Sequence, residues 1–266
     1  IPLDPSQEYD TIVIGAGAAG IGAAIALMHA GVEKFFVVDR ETVGASFAKW
    51  PAETRFITPS FPSNSIGMLD LNSIAVGVSP AFSMKVEHPT GQQYAQHLNN
   101  LATFFEIPIL EHTNVNAIEK HDGLFHLHFD EGSFMTKNVI WAAGEFQYPK
   151  TDAFEGAELC RHTATVPSYA GLDGDDFLII GGYESGVDAA YHLADNGKKV
   201  HIFDRADPWG EGSSNPSIAL ATFTIERTRH ACFSENVTLH ANNGVERVTF
   251  SNGVYELTTS NGDTFQ

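Results

Sequence analysis

The chain has 266 residues, of which 43% are apolar and 18% charged, and this composition suits a globular protein of about two domains. Its net charge of −18 argues against nucleic acid or an anionic membrane as the main partner, because both bind basic surfaces. The two cysteines, Cys160 and Cys232, form no CxxC pair, which gives no sign of an oxidising compartment. The start lacks the pattern of a signal peptide, and no apolar run reaches the length of a membrane span. We therefore expect a soluble cytoplasmic protein.

The first apolar stretch runs into a glycine-rich turn. TIVI, at 11–14, precedes GAGAAG at 15–20, the pattern of a strand, a tight turn and a helix start. Here Gly15 permits the turn, Gly17 lets the backbone approach a pyrophosphate, and Gly20 lets helix and strand pack closely. A second strand, FFVVDR, ends in Asp39 at the distance expected for an acid that accepts a ribose hydroxyl. The pattern predicts dinucleotide binding by Gly15, Gly17, Ala18, Ala19, Gly20, Asp39 and Arg40.

An irregular stretch rich in Pro, Ser, Gly and Asn follows, from Pro51 to Pro89. Long irregular stretches inside compact domains are usually functional or disordered. This one carries too many apolar side chains for a free linker, so we interpret it as an ordered segment folded over a ligand. The alternative is a surface loop packed for stability alone. Its apolar side chains include Phe56, Ile57, Phe61, Met68 and Phe82.

A helix and four short strands come next. Thr90 is a typical N-cap, and Tyr94, Leu98, Leu101 and Phe105 follow at helical spacing. In LFHLHFD, at 124–130, His126 and His128 share one face of a strand. We interpret that face as solvated rather than metal-binding, because no third ligand accompanies the two histidines in sequence.

The first unit is repeated later in the chain. An offset of 166 carries Gly15 to Gly181 and Gly20 to Gly186, and an acid, Asp204, again ends the second strand. Tyr183 replaces the middle glycine, although Gly182 before it still allows close backbone approach. Asp204 favours an unmodified ribose and Arg205 a 2′-phosphate, so NADH and NADPH both stay open. The residues expected at this second site are Gly181, Gly182, Glu184, Ser185, Gly186, Asp204 and Arg205.

A β-ribbon is repeated as well. An offset of 130 carries Leu127 to Leu257 and Gly132 to Gly262. The first copy feeds the strand NVIWAAG, which ends at Gly144, whereas the second copy reaches Gln266 before the equivalent strand. We therefore expect the second copy to lack its last strand.

Three features together resemble the flavin-dependent oxidoreductases with two dinucleotide-binding domains: GAGAAG with its acid, WAAGEFQYP at 141–149, and GGYESG with its acid. The nearest branch is the flavin-containing monooxygenase-like proteins, including bacterial flavoproteins. GASF at 44–47 with WP at 50–51, TPSFPSN at 58–64 and SPAF at 79–82 resemble that branch specifically. The resemblance covers essentially the whole chain.

The resemblance implies FAD on the first turn and NADPH on the second, with a slight preference over NADH. The flavin carries the chemistry, so no protein residue is expected to be catalytic. The isoalloxazine is expected near Phe47, Trp50 and Thr58, with the segment from Phe56 to Phe82 as a wall that excludes water. Further implied contacts are Val115 near the adenine and Ala143 and Gly144 at the crossing between domains.

Two departures weaken the expectation of oxygen insertion. In the fingerprint FxGxxxH, Phe154 and Gly156 fit, but Cys160 stands at the histidine position and His162 comes two residues later. Thr58 replaces the asparagine that many members place beside the flavin. The family chain also returns from the NADPH domain to complete the FAD domain, and that return is not in these 266 residues.

The sequence predicts an α/β fold with two Rossmann-like units of three-layer sandwich character, the FAD unit lacking its C-terminal part. Residues 7–148 are expected to bind FAD, and 154–266 to bind NAD(P) and begin the return. The predicted function is hydride transfer from NAD(P)H to flavin and then to oxygen, as in a monooxygenase. The alternatives are a disulfide reductase of the thioredoxin-reductase or low-molecular-weight thiol type, a quinone-type or metal acceptor, and a non-catalytic dinucleotide sensor. The second substrate is left open, and a homodimer is allowed.

Overall fold

A computed structural model describes residues 3–61, 70–210, 212–213, 215 and 217–266. The chain forms two compact units, one of Ile1–Lys49 with Pro59–Gln147 and one of Trp50–Thr58 with Tyr148–Gln266. The sequence alone did not predict that Trp50–Thr58 belongs with the second unit. None of the helices in the described ranges combines the length and apolarity that a membrane span requires.

The first unit is built on a six-stranded sheet. Its strands are β1 (Glu8–Ile14), β2 (Phe35–Val38), β3 (Ile109–Leu110), β4 (Ala117–His121), β5 (Leu124–Phe129) and β6 (Gly132–Trp141). Their order is β3-β2-β1-β6-β5-β4. The strands β3, β2, β1 and the second half of β6 run parallel, whereas the first half of β6 continues the antiparallel ribbon of β4 and β5. The long strand β6 therefore joins the ribbon to the parallel sheet.

The helices of the first unit are α1 (Ala18–His29), α2 (Ala45–Ala48), α3 (Pro80–Met84) and α4 (Gly91–Phe104). The predicted N-cap of α4 is confirmed, because the Thr90 hydroxyl accepts from the Gln93 amide and the Gln93 side chain bonds back to the Thr90 amide. Tyr94 and Leu98, predicted on one face of this helix, are both buried. Ile12 and Val13 of β1 are also fully buried, as expected for a central parallel strand.

The second unit contains two three-stranded sheets. β7 (Asp176–Ile180), β8 (Lys199–Phe203) and β9 (Val237–His240) form a parallel sheet, and β10 (Val245–Ser251), β11 (Val254–Thr259) and β12 (Thr264–Phe265) form an antiparallel one. Its helices are α5 (Glu184–Asp195), α6 (Thr222–Thr228) and α7 (Ala231–Asn236). Within the described residues, β7 has β8 as its one paired neighbour, whereas its counterpart β1 lies between β2 and β6. Each unit combines parallel strands with helices, so the predicted mixed α/β fold with Rossmann-like units is confirmed.

The repeated ribbon is present in both units. Leu127 and Leu257, which the repeat places in equivalent positions, are 0% and 1% exposed. The hairpin turns also match, because Asp122–Gly123 and Asn252–Gly253 each place two successive residues at positive φ. Positive φ at both central residues is the geometry of a type I′ turn, whose twist suits a tight β-hairpin.

Glu53 attaches the segment Trp50–Thr58 to the rest of the second unit. Its carboxylate accepts hydrogen bonds from the Ser168 hydroxyl at 2.6 Å and from the amides of Tyr169 and Ala170 at 3.1 and 3.0 Å. The next residue, Thr54, donates its hydroxyl hydrogen to the buried carboxylate of Asp188 at 2.6 Å. This short segment is therefore fixed by polar contacts to residues more than 100 positions away in sequence.

Candidate dinucleotide-binding sites

The first glycine-rich turn leaves no room for side chains at its two ends. Gly15 has φ of +107°, and a Cβ atom there would lie 2.3 Å from the Ala142 carbonyl oxygen. A Cβ atom on Gly20 would lie 1.7 Å from the Gly15 carbonyl oxygen. Both distances are far inside van der Waals contact, so glycine is required for the strand, turn and helix to pack in this way. These two predicted roles agree with the geometry.

At Gly17, unlike at Gly15 and Gly20, a side chain would meet no neighbouring atom among the described residues. Its backbone is extended, with φ −80° and ψ −168°, and nothing in the described part of the chain lies within 4 Å of a Cβ built there. Gly17 is the N-cap of α1, which has no side-chain cap bond and no acidic residue in its first turn. An uncapped helix N-terminus of this kind attracts anions through its amide groups and dipole. The residues present therefore fit a pyrophosphate.

Asp39 lies directly beside this turn. One carboxylate oxygen accepts from the Ala16 amide at 2.7 Å, and the other accepts from the Glu41 amide at 2.8 Å. A carboxylate has about four lone-pair sites, so acceptor capacity is left for a ribose hydroxyl. The chain leaving β6 meets the same turn, since the Ala142 amide donates to the Ile14 carbonyl at 2.7 Å and Ala143 borders Gly15. Ala143 therefore lies next to the turn in space, and Gly144 follows Ala143 in sequence.

The remaining residues predicted around the flavin lie on different elements. Phe47, on α2, contacts the ring of Tyr94 at 4.8 Å. Val115 packs against the core of the first unit. Trp50 contacts Phe56 at 5.1 Å between ring centroids, and both belong, like Thr58, to the second unit. Their grouping around an isoalloxazine stays a prediction.

The wall expected from Phe56 to Phe82 is described only in part. Met68 lies outside the described residues. From Asp70 onward the segment is held by hydrogen bonds, because the Ser79 hydroxyl donates to the Asp70 carboxylate at 2.5 Å and the Tyr94 hydroxyl donates to the Asn72 carbonyl at 2.7 Å. Phe82 itself is 77% exposed in the structure.

The second turn repeats the geometry of the first. Gly181 has φ of +95°, and a Cβ on Gly186 would lie 1.8 Å from the Gly181 carbonyl oxygen. The Asp204 carboxylate accepts from the Gly182 amide at 2.7 Å and from the Ala206 amide at 2.8 Å. Asp39 and Asp204 thus bind equivalent amides, those of Ala16 and Gly182, at the second position of each glycine-rich turn. Sequence spacing alone did not show this equivalence.

Two aromatic residues distinguish the second turn. Tyr183 keeps the extended backbone of its counterpart Gly17, with φ −85° and ψ −158°. Its hydroxyl donates to the Ala219 carbonyl at 2.7 Å. A Cβ on Gly182 would lie 2.2 Å from Cζ2 of Trp209, so the indole fills the space beside Gly182 that the sequence analysis had left for a phosphate. At the position of Gly17, the second turn thus has Tyr183, whose side chain is hydrogen-bonded to a neighbouring loop.

Glu184, predicted to contact the cofactor, is engaged within the protein. Its carboxylate accepts from the Ala221 amide at 2.6 Å and from the Thr224 hydroxyl. Ser185, the next residue, is exposed, and so is Arg205 after β8. These two side chains lie at the carboxyl end of the parallel strands, the edge at which α/β folds bind ligands.

A buried ion pair below Glu184 was not predicted from the sequence. Arg227 donates to Asp188, and the two residues are 6% and 5% exposed. Although burial raises the pKa of Asp188, the neighbouring His192 imidazole, the charge of Arg227 and the hydrogen bond from Thr54 together lower it below its ordinary value. No local pattern reports such a pair, because its members lie 39 residues apart on α5 and α6.

The two cysteines are free thiols on separate elements. Burial, followed by the charge of Glu158, raises the pKa of the Cys160 thiol above its ordinary value. Burial and the charge of Asp195 raise that of Cys232. Raised pKa values disfavour the thiolate, the reactive form of cysteine, so neither residue is activated for disulfide exchange.

Two strand–turn–helix units with matching glycines and matching carboxylates define a flavoprotein of the class that binds two dinucleotides and resembles the flavin-containing monooxygenases. The model of the pyridine nucleotide-disulphide oxidoreductase family matches residues 12–266. The chain belongs to that family, which confirms the resemblance drawn from the sequence.

Known relatives include both reductases and monooxygenases. The Bacillus velezensis protein named uncharacterized oxidoreductase CzcO is 29% identical over 191 residues, covering 70% of this chain and 52% of its own length. The fold resembles the bacillithiol disulfide reductase Bdr from Staphylococcus aureus (TM-score 0.77, 20% identity, 97% of this chain and 73% of that one). It also resembles the flavin-containing monooxygenase from Stenotrophomonas maltophilia (TM-score 0.68, 15% identity, 97% and 76%). The chain spans about half the length of the curated relatives it matches.

Proposed function

We propose that this chain is the dinucleotide-binding part of an NAD(P)H-dependent flavoprotein oxidoreductase, with FAD on the first turn and the nicotinamide nucleotide, NADPH rather than NADH, on the second. The observation that carries the proposal is the repeated turn geometry. In each unit a glycine at positive φ, a second glycine packed on its carbonyl and an acid bonded to the turn amide recur together. When bound, FAD supplies the redox chemistry by accepting a hydride from the nicotinamide and passing electrons to an acceptor.

The protein's own residues bind and orient the cofactor in this proposal. The open side of Gly17 and the first amides of α1 receive the pyrophosphate. The Asp39 carboxylate, already held by two amides, accepts a ribose hydroxyl of the adenosine. Because both oxygens of Asp39 are fixed before the cofactor arrives, little ordering is needed on binding.

The second turn is proposed to bind NADPH without using the space beside Gly182, because the Trp209 indole fills it. Asp204 accepts from the Gly182 and Ala206 amides and, like Asp39, keeps acceptor capacity for a ribose hydroxyl, whereas the adjacent Arg205 is exposed. A guanidinium in this position pairs well with a 2′-phosphate, which NADH lacks. This arrangement supports NADPH over NADH.

For the acceptor we propose oxygen, as in the monooxygenase-like branch that the motifs at 44–51, 58–64 and 79–82 resemble. A dry site is the requirement that such a reaction places on the protein. The second candidate is a disulfide, which the name of the matching family favours. Within this chain no dithiol supports that reading, because Cys160 and Cys232 are free thiols on separate elements.

The binding proposal is tested by titrating the 266-residue chain with FAD and following flavin absorbance and fluorescence. Saturable binding that Asp39→Ala weakens at least tenfold supports it. Binding that is unaffected by Asp39→Ala contradicts the assignment of the first turn.

The acceptor is tested on the protein in its full natural length by measuring NADPH consumption and peroxide release. A panel of sulfides, amines, ketones and small disulfides is supplied with and without oxygen. Substrate-dependent oxygen use without peroxide supports a monooxygenase. Disulfide-dependent NADPH loss in the absence of oxygen selects the reductase, and peroxide equal to NADPH whatever the substrate counts against a coupled monooxygenase.

A further inference from the structure

The hairpin of β4 and β5 carries four potential metal ligands on one face. Glu119 and His121 alternate along β4, and His126 and His128 alternate along β5. The antiparallel register pairs Glu119 directly with His126, so all four side chains project from the same side of the ribbon. The opposite side includes the buried Leu127, which packs into the core of the first unit.

One carboxylate oxygen of this group already lies within ion-pair distance of two imidazoles. The Oε2 atom of Glu119 lies 3.0 Å from Nε2 of His121 and 3.5 Å from Nε2 of His128. Two ligand atoms of a tetrahedral zinc ion, each bonded at about 2.0–2.2 Å, are about 3.3 Å apart. The rings of His121 and His126 are 5.6 Å apart between centroids, so the third imidazole is close to the same place.

His128 adds an independent observation. Its Nε2 atom is shielded from solvent and makes no hydrogen bond within the described part of the chain. The 3.5 Å to the Glu119 carboxylate is too long for a good hydrogen bond. A solvent-shielded imidazole nitrogen that lacks a hydrogen bond and lies near a carboxylate is a candidate metal ligand.

We propose that Glu119, His121, His126 and His128 bind a divalent transition-metal ion of the zinc class. Imidazole nitrogen and carboxylate oxygen are ligands that Zn²⁺ accepts readily, and imidazole also suits Cu²⁺ and Ni²⁺. The proposal concerns a surface site on the first unit, apart from the two glycine-rich turns, and it does not depend on their cofactors.

Binding requires the side chains to rotate. In the described residues no three such groups already converge on one point, because Glu119 stands between His121 and His128. The side chains of Glu119, His121 and His128 are 56%, 63% and 41% exposed. Exposed side chains change rotamer freely, and the rigid hairpin fixes their spacing.

The test uses the 266-residue chain stripped of metal by a chelator and titrated calorimetrically with ZnCl₂. We expect one Zn²⁺ per chain. The double variant Glu119→Gln with His128→Gln should bind at least tenfold more weakly, and His121→Gln should show a smaller loss. The matched control is His230→Gln, an exposed histidine of the second unit, which should bind as the wild type does. Equal thermal midpoints without metal establish that the variants fold.

A second measurement does not rely on variants. One equivalent of Cu²⁺ added to the wild-type chain should give a paramagnetic resonance spectrum with splitting from at least two imidazole nitrogens, and His128→Gln should remove one. Fewer than two nitrogens in the wild type would overturn the proposal. So would a Zn²⁺ affinity that stays within twofold in the double variant, or that falls equally in His230→Gln.

Discussion

Two glycines of the first turn should respond in opposite ways to the same added methyl group. In Gly20→Ala the methyl would lie 1.7 Å from the Gly15 carbonyl oxygen, so strand and helix must separate. Overpacking of this kind costs about 3 kcal/mol, and the better helix propensity of alanine returns about 1 kcal/mol. In Gly17→Ala the methyl meets open space at negative φ, so the fold should tolerate it.

The assay combines thermal unfolding with FAD titration. The net loss of about 2 kcal/mol should lower the unfolding midpoint of Gly20→Ala by about 4–8 °C. Gly17→Ala should melt within about 2 °C of the wild type yet bind FAD at least tenfold more weakly, about 1.4 kcal/mol, because the methyl occupies the space proposed for the pyrophosphate. An unchanged FAD affinity in Gly17→Ala would refute that placement, and an unchanged midpoint in Gly20→Ala would refute the packing argument.

Three further predictions concern the second unit. Arg205→Ala should weaken NADPH binding about tenfold, the loss of one charged hydrogen bond, and leave NADH binding unchanged when both are titrated calorimetrically. Gly182→Ala should lower the unfolding midpoint because its methyl meets the Trp209 indole, and Trp209→Leu should restore part of the loss if the indole is responsible. Burial raises the pKa of Glu53, but hydrogen bonds from Ser168 and two amides lower it below its ordinary value overall. The ionised carboxylate therefore stabilises the fold at neutral pH, and this stabilisation is lost as the pH falls through the pKa of the folded state. In urea unfolding, the free energy of unfolding of Glu53→Gln should fall less between about pH 6 and about pH 3 than that of the wild type.

Features encoded by local patterns could be predicted from the sequence. The turns at Gly15 and Gly181 follow from glycine spacing after an apolar strand, and α4 from a capping box and helical periodicity. The ribbon repeat was found as an offset, and the structure places Leu127 and Leu257 in equivalent buried positions. The turn and helix signals each lie within about 30 residues and report backbone conformation directly, and each copy of the ribbon is equally local although the copies are 130 residues apart.

Features that depend on distant partners could not be predicted in the same way. Glu53 bonds to residues near 169, and Trp209 packs on Gly182 from a loop with no strong pattern. The proposed ligand group on β4 and β5 is intermediate, because the shared face of His126 and His128 was predicted but interpreted as solvated, and their cross-strand neighbour Glu119 was missed. The Asp-Gly pair at 122–123 favours a two-residue hairpin, and counting back from it would have placed Glu119 opposite His126.

The single pairing of β7 has a practical consequence for work with this chain. Leu178, Ile179 and Ile180 are partly exposed, whereas Ile12, Val13 and Ile14 of the flanked strand β1 are 0%, 0% and 7% exposed. Among the described residues no strand pairs with the other side of β7, and an apolar edge of this kind is a template for pairing with another molecule. Concentrated samples should therefore self-associate through this edge, and dynamic light scattering over a dilution series would reveal the onset.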